Sequence, residues 1–225
     1  DAQESRGLGD VYKRQLWEYR CVCASKRPSR PGYGVAGTRC FLDMVIHPSV
    51  AMSRAMVAWV GMIIRDATLD DVPAMTDTLN WAIRESDAIF RKHEATLAER
   101  EEYVTTLQND GYPVLVAESD EGEYYGWALL HPYRSLDVWN GCFEDTIYIS
   151  PDAHGKGVGT ELLGALLERA RADERIHTVL ALITGDNAPS VALHEKLGFV
   201  NQGTIKEVSF KFGKWLDLHH LQIIV

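Results

Sequence analysis

The stretch from Cys142 to Leu167, CFEDTIYISPDAHGKGVGTELLGALL, combines the three patterns that decide the fold. Apolar residues alternate as in a β-strand up to Pro151, three glycines follow in a short turn, and leucines then recur at helical spacing. Glycine has no Cβ, so the turn can fold closely around a ligand. A helix N-terminus also presents unpaired backbone N–H groups and the positive end of the helix dipole. The stretch therefore predicts a strand, a turn able to bind phosphate or pyrophosphate, and a helix that begins near Val158 or Gly159.

The glycine spacing distinguishes this turn from two common nucleotide-binding motifs. Gly155, Gly157 and Gly159 form GxGxG, whereas dinucleotide-binding loops have GxGxxG, and the GK[ST] ending of a P-loop is missing. The string from His154 to Gly159 instead resembles the [Q/R]xxGx[G/A] pyrophosphate loop of the GCN5-related N-acetyltransferases, with His154 where that family usually has Gln or Arg. In that family the loop holds the pyrophosphate of acetyl-coenzyme A (acetyl-CoA). A glycine-rich turn before a helix can also be a simple tight connection.

Charge is unevenly distributed along the 225 residues. Residues 1–61 carry 9 Lys and Arg against 5 Asp and Glu, a net charge of +4, whereas residues 62–225 carry 14 against 27, a net charge of −13. An acidic domain is a poor partner for nucleic acids, because phosphate contacts need clustered Lys and Arg. It suits a small cationic or amine-bearing substrate. The apolar run from Phe41 to Val60 is interrupted by charged residues and a proline, so we expect no membrane-spanning segment there.

The four cysteines predict neither disulfide bonds nor a metal site. Cys21, Cys23, Cys40 and Cys142 form no CxxC pair. A metal site formed by the first three cysteines with His47 as a fourth ligand is conceivable, but the spacing does not fit a zinc module. Reduced thiols are typical of cytoplasmic proteins, and the first residues lack the apolar segment of a signal peptide. We therefore expect a cytoplasmic protein without a metal ion.

Residues 1–61 lack the patterns of a folded domain. Proline and glycine interrupt the segment repeatedly between Pro28 and Gly37, and no strand–turn or heptad pattern occurs. A strand pattern begins immediately afterwards, at Ile63 and Ile64. We predict that residues 62–225 form the domain and that residues 1–61 are an extension. The extension is either a functional tail or sequence upstream of a native start at Met62.

The remaining patterns predict the order β-α-α-β-β-β-α-β-α-β-β. Capping boxes at Thr68 and Thr96 mark the starts of two helices, and Glu121-Gly122 marks a hairpin turn. Two long segments at the end of the chain predict a final antiparallel pair of strands. The order indicates an α/β protein with a mixed sheet, mostly antiparallel and flanked by helices. It is also the order of the acetyltransferase family named above.

A second motif narrows the resemblance to one branch of that family. Residues 187–199, NAPSVALHEKLGF, are similar to the NxPSVxxHExLG[FY] helix of the phosphinothricin and methionine-sulfoximine N-acetyltransferases. Glu144 and the string FKFGKWLD at residues 210–217 also resemble this branch, and the motifs occur in the same order. The resemblance covers Met62 to Val225. It implies a fold whose sheet is splayed at its central strands, and a homodimer.

The resemblance implies transfer of an acetyl group from a thioester to an amine. The amine must lose a proton, and the departing thiolate benefits from gaining one. Glu144 corresponds to the general base, acting directly or through water. Asp145 is its competitor, but alternation along a strand places the two on opposite faces. His194, where the superfamily more often has Tyr, corresponds to the general acid. A solvated carboxylate and a structural histidine are the plain alternatives.

Acetyl-CoA is the implied cofactor. A strand backbone at residues 147–149 can pair with the amides of pantetheine as an added strand would. The side chains of Asn187 and Ser190 can hydrogen-bond to the pantetheine arm, although Asn187 is also a good helix N-cap. The predicted cofactor site comprises Ile147, Tyr148, Ile149, His154, Gly155, Lys156, Gly157, Val158, Gly159, Thr160, Asn187 and Ser190.

The acceptor site departs from the branch. Ahead of the catalytic glutamate the branch has P[WF][KR]xRxA[YF], whose basic residues hold the acceptor's carboxylate. This chain has PYRSLDVW at residues 132–139, so Arg134 is retained, Leu136 replaces the second basic residue and Trp139 replaces a smaller aromatic residue. Asn80, Ser86 and Phe90 match the substrate-side loop of the branch.

These motifs together predict an acetyl-CoA-dependent N-acetyltransferase that acts by direct transfer on a small amine. The expected acceptor is an amino acid or a toxic amino-acid analogue of the phosphinothricin or methionine-sulfoximine type, which implies a role in antibiotic or herbicide resistance. An aminoglycoside or polyamine N-acetyltransferase is the alternative that the acidic domain favours. A non-catalytic acyl-CoA sensor is the alternative outside enzymes.

Overall fold

The computed structural model of the protein describes residues 61–134 and 137–225. Its strands are β1 (Met62–Asp66), β2 (Val114–Ser119), β3 (Tyr124–Pro132), β4 (Cys142–Ile149), β5 (Thr178–Thr184), β6 (Val200–Lys211) and β7 (Lys214–Ile224). Its α-helices are α1 (Val72–Glu85), α2 (Leu97–Asn109), α3 (Val158–Ala172) and α4 (Ala188–Lys196). The seven strands form one sheet in the order β1-β2-β3-β4-β5-β7-β6. The predicted order of elements along the chain is confirmed.

The sheet is open at its centre. Neighbouring strands pair antiparallel, except that β4 and β5 run parallel. The parallel pairing joins only Cys142–Glu144 to Thr178–Leu180, although both strands continue beyond those residues. The mixed α/β architecture and the splayed central strands are therefore as predicted.

Local sequence explains the starts of α1 and α2. The capping box of Thr96 and Glu99 closes the N-terminus of α2, with Glu99 N donating to Thr96 Oγ1 over 3.3 Å and Thr96 N donating to Glu99 Oε2 over 2.9 Å. The box of Thr68 and Asp71 also forms, but it encloses a single 3-10 turn, so α1 begins only at Val72. The predicted apolar stripe of α1 is buried: Val72, Met75, Leu79 and Ile83.

Two hydrophobic clusters cover the two faces of the sheet. One contains the leucines of α3 together with Phe143 of β4, and Ile147 and Ile149 pack against it. The other contains residues of α1, α2, β2 and β3, and Tyr148 packs against it. Because side chains alternate along a strand, Glu144 lies on the α1–α2 face and Asp145 on the α3 face. This confirms that the two carboxylates point to opposite sides.

The β6–β7 hairpin is joined to the segment that follows α1. The ammonium group of Lys211, at the tip of the hairpin, donates to the carbonyl oxygens of Ser86 at 2.7 Å and Ile89 at 3.1 Å. Lys214, across the turn, forms an ion pair with Asp87 at 2.7 Å. Two long hairpin strands thus hold a short loop that has no regular structure of its own.

Part of the sequence interpretation lies outside the described residues. This holds for the proposed extension apart from Gly61, including its cysteines and His47, so the division at residues 61 and 62 stays a prediction. Strand β1 does begin at Met62. None of the helices in the described ranges combines the length and the apolar character needed to cross a membrane.

Candidate active site

The gap between β4 and β5 creates the groove around which the site is built. On its other side β4 pairs with β3 from Phe143 to Ile149. Beyond Glu144, its edge towards β5 has no strand partner in the described residues. An extended ligand with amide groups can complete that edge in the way an added strand would. This is the position predicted for pantetheine.

The glycine-rich turn follows at the end of β4. Gly155 and Gly157 have φ values of 75° and 81°, a region that favours glycine. Helix α3 begins at Val158, as predicted. The N–H groups of Val158 and Gly159 have no partner within the helix, whereas that of Thr160 donates to the carbonyl oxygen of Gly157 at 3.0 Å. A Cβ added to Gly155 would meet no atom within 4 Å, which shows that space is open above the turn. The turn fits a pyrophosphate group held by backbone N–H groups and the helix dipole.

Side chains around the turn fix its position. The ring of His154 contacts the carbonyl oxygen of Ile149 at 3.1 Å, so it ties the turn to the end of β4. Lys196 of α4 donates to Thr160 Oγ1 at 3.5 Å. A Cβ added to Gly159 would lie 3.1 Å from Leu193, so this glycine permits the close approach of α3 and α4. Lys156 is exposed, with its ammonium 5.6 Å from the ring centre of Tyr125.

Glu144 is the last residue of β4 that pairs with β5. It lies between His131 of β3 and Leu180 of β5 in the sheet register. Burial without a cationic partner disfavours its ionised form, and the charge of Asp145 adds to this, which raises the pKa of Glu144 to about 7. A carboxyl group with this pKa can accept a proton at neutral pH and then release it.

His194 and Asp145 form a buried pair on the other face of β4. The Nε2 atom of His194 lies 3.0 Å from Asp145 Oδ2, and its Nδ1 atom lies 2.7 Å from the carbonyl oxygen of Ser190. Only 1% of His194 is exposed, and the ring of Phe199 meets it edge-on at 5.0 Å. Burial opposes a charged ring, but the hydrogen bonds and the charge of Asp145 outweigh it and raise the pKa of His194. The ring therefore bridges β4 and α4 across the groove.

The N-terminus of α4 also faces this groove. Asn187 caps the helix, because its Oδ1 accepts from the N–H of Ser190 at 3.2 Å. The hydroxyl of Ser190 lies 3.5 Å from His194 Nδ1. The amide nitrogen of Asn187 takes no part in the cap. The structure brings the two residues together at the start of α4, as their shared motif predicts.

The predicted acceptor residues are not brought together in one cluster. Both amide atoms of Asn80 are used by the backbone of Ala95, at 2.8 and 3.0 Å, and the residue is buried. These bonds fix the amide against the backbone, and its predicted contact with a substrate stays a prediction. Ser86 bonds to the carbonyl oxygen of Ala82 at 2.8 Å and ends α1. Phe90 is exposed.

Arg134 lies at the start of the loop before β4. Its guanidinium group lies 5.1 Å from the ring centre of Tyr133 and 5.4 Å from that of Trp139, and it is exposed. Two aromatic rings therefore orient the one basic residue that matches the branch. Leu136 lies outside the described residues.

The sequence did not predict the contacts of two side chains near the site, Asp145 and Lys211. Asp145 appeared only as a competitor of Glu144, although strand alternation already placed it on the opposite face. Lys211 was part of a motif without a role, and it proves to hold the loop after α1. Both contacts join residues far apart in the chain, by 49 and by up to 125 positions.

Comparison with known proteins decides the family. A family model of the acetyltransferase (GNAT) domain matches residues 62–200. The chain belongs to the GNAT acetyltransferases. The L-methionine sulfoximine/L-methionine sulfone acetyltransferase of Pseudomonas aeruginosa is 39% identical over 160 residues, which cover 71% of this chain and 92% of that protein. The phosphinothricin N-acetyltransferase of Alcaligenes faecalis is 34% identical over 178 residues, 76% of this chain and 88% of that protein.

A solved structure agrees with the sequence relatives. The phosphinothricin acetyltransferase of Sinorhizobium meliloti in complex with acetyl-CoA is 32% identical to this acetyltransferase. The match has a TM-score of 0.71 and covers 74% of this chain and 89% of that chain. The predicted family, enzyme class and cofactor, acetyl-CoA, are confirmed. The strand edge and glycine turn described above fit that cofactor.

Proposed function

We propose that this acetyltransferase transfers the acetyl group of acetyl-CoA to the primary amine of an amino acid or amino-acid analogue. The proposal rests on the position and pKa of Glu144. Its carboxyl group lies beside the open groove, and its pKa of about 7 allows it to accept and release a proton at neutral pH. Relatives named for methionine sulfoximine and phosphinothricin support the acceptor class.

The donor side is formed by backbone. The N–H groups of Gly157, Val158 and Gly159 hold the pyrophosphate, and the free edge of β4 from Thr146 to Ile149 pairs with pantetheine. Acetyl-CoA supplies the activated acetyl group. With the cofactor held in this way, we expect the thioester to lie near the end of the β4–β5 pairing, next to Glu144.

The acceptor side prepares the amine. An ammonium group is not a nucleophile, so Glu144 takes its proton on a carboxylate oxygen, directly or through one water molecule. The guanidinium group of Arg134 attracts the acceptor's carboxylate. His194 keeps its predicted role as the source of a proton for the thiolate. Because both ring nitrogens are bonded within the protein, His194 can pass a proton on only through the carboxylate of Asp145, at 3.0 Å from Nε2, or the hydroxyl of Ser190, at 3.5 Å from Nδ1.

The test is a panel of amines assayed by release of free thiol from acetyl-CoA. Methionine sulfoximine, methionine sulfone and phosphinothricin should be acetylated with higher kcat/KM than spermidine or an aminoglycoside. The domain charge of −13 favours those cationic amines, so they are the second candidates. Preference for a polyamine would overturn the acceptor class. Binding of acetyl-CoA without transfer to any amine would favour the sensor.

We also propose that the protein is a homodimer that acts in the cytoplasm. The outer side of the β6–β7 hairpin exposes a paired Phe210 and Trp215, with 46% and 60% of their surfaces accessible and ring centres 5.3 Å apart. Exposed apolar surface of this kind often marks a protein interface. Sedimentation equilibrium should give twice the chain mass, and Trp215→Lys should weaken the association. A monomer at micromolar concentration would contradict the dimer.

A resistance role follows from the proposed acceptors. Acetylation removes the basic amine of a toxic amino-acid analogue, so expression should raise the tolerance of a sensitive bacterium to methionine sulfoximine. The Glu144→Gln variant, expressed at the same level, should give no protection.

A further inference from the structure

We propose that Asp145 is a positioning residue of the acetyl transfer: its carboxylate holds the imidazole of His194 doubly protonated across the groove, and its charge lies beside the carboxyl group of Glu144. The proposal rests on the proposed function, because it concerns the same site. Asp145 lies at the position where the pairing of β4 with β5 has just ended. One residue thus borders both the base on one face of β4 and the histidine on the other.

The geometry requires two protons on the His194–Asp145 pair. Both ring nitrogens of His194 face oxygen acceptors, the carbonyl of Ser190 at 2.7 Å and the carboxylate of Asp145 at 3.0 Å. A neutral imidazole has one N–H donor, so with an ionised Asp145 it would turn a lone pair towards one of these oxygens. A second proton removes that repulsion. Either an imidazolium with a carboxylate or a neutral ring with a protonated Asp145 meets this requirement, and the raised pKa of His194 favours the imidazolium.

Burial makes this pair sensitive to the loss of one charge. The side chains of His194 and Asp145 are each only 2% exposed. In addition, Asp145 Oδ1 is buried without a hydrogen-bond partner among the described residues. Its charge is therefore poorly screened, and besides His194 it acts on two other ionisable groups, Glu144 in the same strand and His131 in β3. Around His194, the other contacts are uncharged: the ring of Phe199, and the carbonyl oxygen and hydroxyl of Ser190.

For catalysis, the consequence is that Asp145 influences the protonation of both Glu144 and His194. Asp145 disfavours ionisation of Glu144 and favours the imidazolium of His194. Glu144 then titrates near the working pH, while His194 keeps a proton on the donor side of the strand. Two adjacent carboxylates with different surroundings thereby take different roles, Glu144 as the base and Asp145 as the group that keeps His194 protonated.

The variant that tests the proposal is Asp145→Asn. Asn has the shape of Asp, and its NH2 group can donate to a neutral His194 Nε2, so the hydrogen bond survives while the charge is lost. We expect both limbs of the pH profile of kcat/KM to move to lower pH. A base with a pKa of about 7 is roughly one-tenth ionised at pH 6, so the ratio of kcat/KM at pH 6 to that at pH 8 should rise, by up to about tenfold.

Controls separate this role from a structural one. Asp120→Asn makes the same change at an exposed turn and should leave the profile unchanged. If Asp145→Asn lowers kcat/KM equally at all pH values, or leaves it unaltered, the proposal is wrong. Nuclear magnetic resonance titration of the Glu144 carboxyl carbon and the His194 ring, in the wild type and in Asp145→Asn, compares the pKa values of the two groups directly and needs no enzymatic turnover. Unshifted titrations would overturn the proposal even if no acceptor is found, whereas shifted titrations with no acceptor would count only against the proposed function.

Discussion

Glu144 and Asp145 are neighbours on β4, yet their carboxyl groups meet opposite conditions on the two faces of the sheet. Glu144 has no cationic partner in the part of the chain that the structure describes, and burial, together with the charge of Asp145, raises its pKa to about 7. Asp145 is more deeply buried but is bonded to the ring of His194 at 3.0 Å. The comparison shows that burial alone does not set the behaviour of a carboxyl group. A hydrogen-bonded cation favours the ionised form of a carboxyl group, whereas burial without one disfavours it.

The largest expected effect is the loss of the base on the α1–α2 face. Glu144→Gln removes the proton acceptor without a change in shape, so kcat should fall by roughly 10²–10⁴-fold at pH 7.5. Acetyl-CoA affinity, measured by calorimetry, should change little because the proposed role of Glu144 is on the acceptor side. Glu121→Gln, in an exposed hairpin turn, is the matched control. Near-normal turnover of Glu144→Gln would mean that this face does not hold the base.

The cofactor turn offers the next largest effect. Gly155→Glu places a negative charge where the pyrophosphate is expected, and we expect acetyl-CoA affinity to fall by about 100-fold, comparable to the loss of a charge-assisted bond. Gly122→Glu is a close control, since Gly122 also has a positive φ, of 84°, and no atom within 4 Å of an added Cβ. Calorimetry on both variants shows whether the loss of acetyl-CoA affinity comes from the charge at the turn or from strain at a glycine with positive φ. Equal affinities would refute the assignment of the turn.

Arg134 tests the acceptor side with a smaller effect. Arg134→Leu removes one charge-assisted bond to an acceptor carboxylate, worth about 1.5 kcal/mol at an exposed site, so kcat/KM on phosphinothricin should fall about tenfold. An acceptor amine without a carboxylate should be affected less, and it is the internal control. The reverse change, Leu136→Arg, should increase kcat/KM on the same anionic acceptor. Equal losses on both kinds of acceptor would show that Arg134 does not contact the carboxylate.

The elements that could be predicted from the sequence depend on neighbouring residues in the chain. The glycine turn, the start of α3 at Val158 and the alternation that separates Glu144 from Asp145 follow from local geometry and the spacing of apolar residues. The splayed sheet and the cofactor came from the resemblance of motifs, because no local pattern shows that two strands stop pairing.

Contacts between distant elements could not be predicted. The bond between His194 and Asp145 depends on how α4 packs against β4, and nothing in either motif encodes that packing. Similarly, Asn80 matched a substrate loop in sequence, but the backbone of Ala95 happens to lie opposite its amide and occupies both polar atoms. Spacing along the chain gives the face on which a side chain lies, whereas its partner depends on tertiary packing.

The smallest expected effect is on the stability of the fold. It tests the raised pKa of Glu144 without a measurement of catalysis. Its pKa is about 7 in the folded protein, above the ordinary value of 4.5, so the folded state binds the proton more tightly than the unfolded state does. The free energy of unfolding therefore contains a contribution that is complete below about pH 4.5 and declines as pH rises to about 7. Above that pH the buried carboxylate is a cost. Glutamine cannot ionise, so Glu144→Gln should be more stable than the wild type at pH 8. The whole pKa difference corresponds to about 3 kcal/mol, and the partial exposure of Glu144 to solvent reduces this to roughly 1 kcal/mol, or a few degrees in Tm. At pH 4.5 the difference in stability should largely vanish.

Thermal unfolding of the wild type and Glu144→Gln at pH 4.5 and pH 8 checks the sign of this difference. A variant that is less stable than the wild type at pH 8 would show that the carboxylate has a stabilising partner.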